Sequence, residues 1–339
     1  RFRRLPRPTG SVRRRAVDNN VRAPGASARC QGLLFALVGG LASATFFLAI
    51  RTGAPGAIVL TYLASVPLLA VGLSQGLLPT IISACVAIIS IFFGLHATAA
   101  GVYVAISALP AIIVVRQSLI SRPEPNANEL EWYPIGLILS WLTSCGLLLL
   151  GFLLVYTLGE EGGLTGASQR MLDRVFLGIS NNNPQASKFI GILAIYLPGM
   201  LLSVWLLISV VNSAFAQNFL SRIGHSIRPL PTYSSFELPN WMSLALATAI
   251  LLSFFPGTFG DFGRNASPLL STPFFLLGLA VIHTLSQQIG ARKMVLAGLY
   301  VLLIIVGWLS AIVVLLGVLE QWISLRQRFG MSDGDQENE

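Results

Sequence analysis

Long runs of apolar residues are the feature that most constrains this chain. Hydropathy and helix breakers place candidate spans at about 31–50, 54–73, 76–94, 97–115, 134–157, 188–213, 241–256, 267–288 and 294–320. A helix of roughly 20 apolar residues crosses a bilayer, whereas an open strand would leave its backbone groups unpaired in lipid. Only 11% of the residues are charged, against about 25% in soluble domains. We therefore predict an all-α, polytopic transmembrane helical bundle with about nine spans, with eight or ten as the alternatives.

The final run, 294–320, is long for a single crossing. At roughly 1.5 Å per residue it reaches about 39 Å, which exceeds a hydrocarbon core of about 30 Å. It forms either one tilted helix or two short helices around Gly307. The number of crossings decides the side of the C-terminus, and the basic segment "SLRQR" favours an even number.

Positive charge is concentrated at the N-terminus. The net charge is +8, and nine of the 22 Lys and Arg residues lie before residue 30. Basic residues beside a first span favour a cytoplasmic terminus and attract anionic headgroups of the lipid bilayer. We expect a solvated tail that sets the orientation of the chain. An Arg-rich organellar transit segment or an RNA-binding arm is the alternative, and no nucleic-acid partner is expected.

Polar segments divide the chain into five regions. An Arg-rich cytoplasmic tail (1–30) precedes an N-terminal four-helix membrane region (31–121). A polar connector (122–133) leads to a C-terminal membrane region (134–325), and a polar C-terminal tail (326–339) follows.

The second membrane region contains a short amphipathic pattern near residues 167–180. Arg170, Asp173 and Arg174 share one helical face, and apolar side chains share the other: Met171, Leu172, Val175, Phe176 and Ile179. This pattern predicts an interfacial helix on the outer side. It would either rest on the headgroups or act as a lid over an outward-facing cavity.

Ionisable side chains are nearly absent from the middles of the apolar runs. His283, in "LGLAVIHTLSQQ", is the one such group well inside a span. It is either a packing histidine bonded to a neighbouring backbone group or a residue that contacts a ligand or senses protons. A lone His without a nearby His, Cys or carboxylate is a poor metal signal, so no metal site is expected.

A polar face follows the apolar stretch "LLSVWLLISVV". Ser209, Asn212 and Ser213 share a helical face, and Gln217 lies beside it. Amides that faced lipid would leave donors and acceptors unpaired, so this face points into protein or a wet cavity. It therefore makes hydrogen bonds between helices or lines a cavity that contacts a neutral solute. With His283, these four residues form the candidate site.

Signatures of catalysis are missing from the sequence. It has no GxSxG, no HExxH, no Walker loop and no paired carboxylates within a span. The stretch "GTFGDFG" (Gly257–Gly263) lacks a GK[ST] ending and predicts a flexible turn. Asn265, Ala266 and Ser267 fit a glycosylation sequon, which a bacterial origin would make meaningless. We expect no enzyme activity, no catalytic residue and no cofactor.

Several local patterns in fixed order resemble the YybS-like family of predicted bacterial inner-membrane proteins, whose function is not established. The resemblance covers about residues 31–328. It rests on "YLASVPLLAVGLSQG" (62–76), "EWYPIG" (131–136), "VNSAFAQNFL" (211–220), "RPLP" (228–231), "LPNW" (238–241), "FFLLGLAVIH" (274–283) and "LYVLL…LGVLEQWISLRQR" (299–328). The resemblance implies a multi-pass protein of the bacterial inner (cytoplasmic) membrane. More remotely, the family is similar to the substrate-binding membrane subunits of energy-coupling-factor transporters.

Two functions are compatible with these features. The first is a small-solute transport or substrate-binding membrane subunit, which the helix number, the polar face and the remote likeness favour. The second is a non-transporting membrane scaffold or assembly factor for envelope processes, with a membrane or cytoplasmic protein partner. A polar stripe binds a solute or a neighbouring helix by the same chemistry, so the sequence leaves both open.

Overall fold

The computed structural model of the chain describes residues 26–123, 130–176, 184–230, 236–288, 290–323 and 326. Almost all of these residues are helical. The helices are α1 (Ala26–Leu48), α2 (Ala57–Tyr62), α3 (Ser65–Gln75), α4 (Leu77–Gly94), α5 (Ala97–Tyr103), α6 (Leu109–Ser118), α7 (Ile135–Tyr156), α8 (Gly163–Val175), α9 (Pro184–Arg222), α10 (Trp241–Leu252), α11 (Gly257–Leu285), α12 (Arg292–Ile305) and α13 (Leu309–Ile323). A π-helical turn, Val104–Ala108, joins α5 to α6, and 3₁₀ turns follow α1 and α11.

Seven segments within the described residues are long and apolar enough to cross a membrane. They are Gly32–Thr52, Ala57–Gln75, Leu77–Gly94, Ala97–Ser118, Ile135–Tyr156, Gln185–Arg222 and Gly257–Leu285. Two shorter apolar helices, α10 and α13, accompany them. The predicted fold class, an all-α polytopic helical bundle, is therefore confirmed.

Three helices are shorter than the runs predicted for them. The run 241–256 forms the 12-residue α10, and the run 294–320 forms α12 and α13, of 14 and 15 residues. Helices α12 and α13 are separated at Val306, so of the two alternatives for this run the pair of short helices is confirmed. None reaches the roughly 20 residues that span a bilayer at 1.5 Å per residue.

The predicted flexible turn at Gly257–Gly263 is wrong, because these residues form the first turns of α11. Gly257 starts the helix at φ 72°, a conformation that glycine adopts without steric cost. A Cβ at Gly263 would collide with backbone atoms of Ala249, in α10, and of Ser253, the residue after α10. Gly263 therefore permits close packing of α10 on α11.

Helix α9 extends nine residues beyond its predicted end at 213, to Arg222. The predicted interfacial helix near 167–180 begins earlier, at Gly163, and ends at Val175; residues 177–180 lie outside the described part of the chain. Helix α8 packs against α9, where its Leu172 is buried with Ile190 and Ala194.

The polar connector predicted at 122–133 contains a short antiparallel hairpin. Strands β1 (Ser121–Pro123) and β2 (Leu130–Trp132) pair with Arg122 opposite Glu131. Nε of Arg122 lies 2.7 Å from Oε2 of Glu131 on the exposed surface. The hydrogen bond from Arg122, together with its charge, lowers the pKa of Glu131.

Small residues allow close helix contacts in both membrane regions. In the first region the Ser83 hydroxyl donates to the carbonyl of Ala36 at 2.7 Å, where α4 packs on α1. In the second region α11 packs on α13, and a Cβ at Gly278 would overlap the carbonyl of Val313. Helix α3 packs on α9 and joins the two regions.

Asn265 of α11 completes the backbone hydrogen bonding of α9 beside Pro198. Its Oδ1 accepts from the N–H of Gly199 at 2.9 Å, and its Nδ2 donates to the carbonyl of Ile195 at 3.0 Å. A proline inside a helix lacks an N–H and crowds the preceding turn. The buried side-chain amide therefore bridges the loosened turn. Its full burial also means that it is no glycosylation acceptor.

Candidate functional site: an interhelical cavity

A cavity between the helices in the described part of the chain has a volume of about 280 Å³. It lies among α3, α6, α7, α9 and α11, and Phe236, five residues before α10, lines it as well. Most of the wall is aliphatic, with side chains that include Leu73, Val114, Ile138, Leu142, Val210 and Leu276. Several wall residues come from the last turns of α3, α6, α9 and α11 and the first turns of α7. The cavity therefore lies near one end of the bundle.

Polar groups contribute a small part of the wall. Ser118, Ser213, Gln217 and Arg228 line the cavity among the aliphatic residues. Nε2 of Gln217 donates to the hydroxyl of Ser226 at 2.8 Å and to the carbonyl of Arg228 at 2.7 Å. Gln217, only 7% exposed, thus holds the segment after α9 against the helix.

Arg228 is a buried cation in this wall. It is 7% exposed, and its guanidinium donates to the carbonyl of Tyr133, two residues before α7, at 3.0 Å. A guanidinium carries five N–H donors and accepts no hydrogen bond. Arg228 therefore ties the segment after α9 to the residues that precede α7.

The other predicted residues of α9 lie beside the cavity rather than in its wall. Nδ2 of Asn212, a residue 2% exposed, donates to the carbonyl of Tyr62 at 2.7 Å and to the hydroxyl of Ser65 at 2.8 Å. Ser209 donates to the carbonyl of Trp205 within its own helix at 2.8 Å. Asn212 therefore joins α9 to α2 and α3.

His283 is separate from these residues. Its Nε2 lies 2.8 Å from the hydroxyl of Tyr300 on α12, and it does not line the cavity. Among the described residues, no group of three or more His, Cys, Asp or Glu could share a metal ion. Of the five predicted site residues, the structure places Ser213 and Gln217 in the cavity wall, with Asn212 and Ser209 next to them.

Sequence reasoning missed Arg228 and Phe236 as cavity residues. Both lie in the connection between α9 and α10, where hydropathy indicates only a polar loop between two apolar runs. The one signal in the sequence was Gln217, eleven residues before Arg228. A side-chain amide at the end of an apolar run needs a polar partner, and the carbonyl of Arg228 is that partner.

A second polar cluster ties α8 to α11 at another part of the bundle. The hydroxyl of Thr165 donates to Oδ1 of Asp261 at 3.1 Å, and Arg264 forms an ion pair with the same oxygen at 2.8 Å. Arg264 also donates to the carbonyl of Ser253 at 3.2 Å. These bonds fix the start of α11 beside α8.

Comparison with protein families gives one match. Residues 179–320 are similar to the family described as "Predicted membrane protein (DUF2232)". The matched region contains the polar face of α9 and the wall residues of α9 and α11, but not those of α3, α6 and α7. Searches of curated proteins and of solved structures give no significant match. The family description supports a membrane protein and names no activity.

Proposed function

We propose that this membrane protein binds one small, largely apolar solute in the interhelical cavity, as a transport or substrate-binding subunit. The observation that carries the proposal is the cavity itself, with its aliphatic wall and the polar groups of Gln217 and Arg228. Its volume of about 280 Å³ is just below the roughly 300–1,000 Å³ of most small-molecule sites. That size suits a compact solute better than a lipid with two acyl chains.

The membrane setting indicates which contacts supply selectivity. An apolar solute that leaves the bilayer for an apolar cavity gains little hydrophobic free energy, because lipid tails are as apolar as leucine. Discrimination must therefore come from shape and from polar contacts. The polar side chains of the wall, which include Ser118, Ser213 and Gln217, favour a solute that carries one small polar group on an otherwise apolar body.

A membrane scaffold is the second candidate, and α12 is the observation that favours it. Helix α12 has no buried residue along its 14 positions. Its apolar side chains, among them Met294, Val301 and Ile304, are exposed and would contact lipid or a partner protein. On this proposal the cavity would hold no solute and the protein would copurify with its partner.

Thermal unfolding of the purified protein in mild detergent tests the first proposal against a panel of small amphiphiles. Leu139→Trp places bulk in the cavity, and Leu148→Trp is its matched control, because Leu148 lies on the same helix and is 76% exposed. A ligand at 100 times its Kd stabilises the folded state by about 2.7 kcal/mol. We expect a solute that raises the midpoint of the wild type and of Leu148→Trp but not that of Leu139→Trp.

A second pair of variants tests the polar contacts. Gln217→Leu removes an amide from the wall, and Asn218→Leu removes the adjacent exposed amide, which bonds only within its own helix. We expect the solute response to weaken in Gln217→Leu alone. If no amphiphile shifts the wild type, or if Leu139→Trp responds as the wild type does, solute binding in this cavity is refuted.

A further inference from the structure

The segment Phe236–Pro239 is held in place by its backbone carbonyls. The carbonyl of Phe236 accepts from Nη2 of Arg326 at 2.6 Å. Nε2 of Gln321 donates to the carbonyls of Leu238 and Pro239 at 3.4 and 3.2 Å. Side chains at and just beyond the end of α13 therefore fix a connection that precedes α10.

The same segment presses against the start of α7. A Cβ at Gly136 would overlap the carbonyl oxygen of Glu237, so only glycine permits this approach. Phe236 belongs to the cavity wall and is 8% exposed. The position of the backbone thus sets where Phe236 lies in the cavity wall.

A buried ion pair sets the position of Arg326. Its Nε lies 2.7 Å from Oε1 of Glu320, and its backbone N–H donates to Oε2 at 3.2 Å. The side chains of Arg326 and Glu320 are 9% and 5% exposed, the most buried of the four ion pairs in the described residues. A buried carboxylate without its cation is strongly disfavoured, so the pair holds the guanidinium in one place.

We propose that Glu320, Gln321 and Arg326 are positioning residues that form a C-terminal clamp on Phe236 and control access to the cavity. The inference rests on the proposed function, because it treats the cavity as a binding site. Breaking the ion pair releases the carbonyl of Phe236, and the segment then moves away from the wall. The clamp residues lie more than 80 residues after Phe236 in the sequence, so the clamp is formed by tertiary contacts.

Cysteine labelling measures access without any ligand. In a background where Cys30, Cys85 and Cys145 are alanine, Ser213→Cys places one thiol in the cavity wall. The reaction rate of that thiol with a small water-soluble maleimide is compared with and without Glu320→Gln. We expect the rate to rise by about tenfold or more, since one partner of a buried pair is lost.

The exposed pair in the β-hairpin provides the matched control. Glu131→Gln breaks the ion pair with Arg122, which lies at the surface, and should leave the labelling rate unchanged. Gln321→Leu removes two long hydrogen bonds and leaves no unpaired charge buried. It is therefore the second test variant, to be used if Glu320→Gln does not fold. We expect its rate to rise by about twofold to fivefold.

Folded clamp variants that label at the wild-type rate would overturn the inference. The double variant Glu320→Arg, Arg326→Glu places the two charges in exchanged positions. A return of its labelling rate toward the wild-type value would support the inference. Failure of the two proposals is distinguishable. If no solute binds but labelling accelerates, only the proposed function fails; if a solute binds and labelling is unchanged, only the clamp fails.

Discussion

Replacement of Asn265 by alanine is expected to destabilise the bundle although the side chain lies outside the cavity. The variant removes two bonds between helices, one to the N–H of Gly199 and one to the carbonyl of Ile195. Hydrogen bonds between membrane helices average about 0.6 kcal/mol and reach about 1.7. Two of them give a loss of about 1.2 kcal/mol, with an upper limit of about 3.4.

The local geometry argues for a value above the average. Pro198 prevents the turn from closing normally, so the freed groups of α9 cannot simply re-pair with each other. The third bond of Asn265, to the carbonyl of Asp261 at 2.9 Å, lies within α11 and adds little. Asn218→Ala is the matched control, because Asn218 is exposed and bonds only to the carbonyl of Ala214 on its own helix.

Equilibrium unfolding in mixed micelles, titrated with SDS and followed by tryptophan fluorescence, gives the two free energies of unfolding. We expect Asn265→Ala to lower the free energy of unfolding by about 1–3 kcal/mol and Asn218→Ala to change it by less than about 0.3. Equal values for the two variants would refute the bridging role of Asn265.

Three further outcomes follow from the structure. Asn212→Leu removes two interhelical bonds and should lower the free energy of unfolding by about 1 kcal/mol in the same SDS titration; no change would contradict the packing of α9 on α3. Gly278→Val should destabilise by about 1–3 kcal/mol through overpacking, while Gly298→Val, which meets nothing within 4 Å, should not. Arg122 lowers the pKa of Glu131, so the pair stabilises the hairpin above the ordinary carboxyl pKa and stops doing so as pH falls through the lowered value. The unfolding midpoints of the wild type and Arg122→Gln should therefore converge at low pH; a difference that persists there would contradict this.

The fold class could be predicted from the sequence because hydropathy reports directly on the solvent around each helix. Helix ends were harder to predict, because glycine signals both a turn and a close helix contact. In "GTFGDFG" the second meaning applies, since Gly263 faces backbone atoms of the adjacent helix. A single sequence does not show which neighbour a glycine will meet.

Part of the cavity wall could be located from the sequence. The α9 face could be found because unpaired amides in lipid are costly, and both Asn212 and Gln217 are paired and buried. The same reasoning does not tell a helix contact from a cavity wall. Arg228 and Phe236 escaped prediction because they reach the cavity through tertiary contacts of a loop.

Photolabelling tests the central claim, that the cavity binds a small solute, most directly. The purified protein in lipid nanodiscs would be irradiated with a small amphiphile that carries a diazirine, and the modified residues mapped by mass spectrometry. The account predicts saturable labelling of cavity residues such as Leu139, Leu142 and Ala214, lost in Leu139→Trp. Labelling confined to outward-facing residues such as Leu148 and Phe219, without saturation, would contradict it.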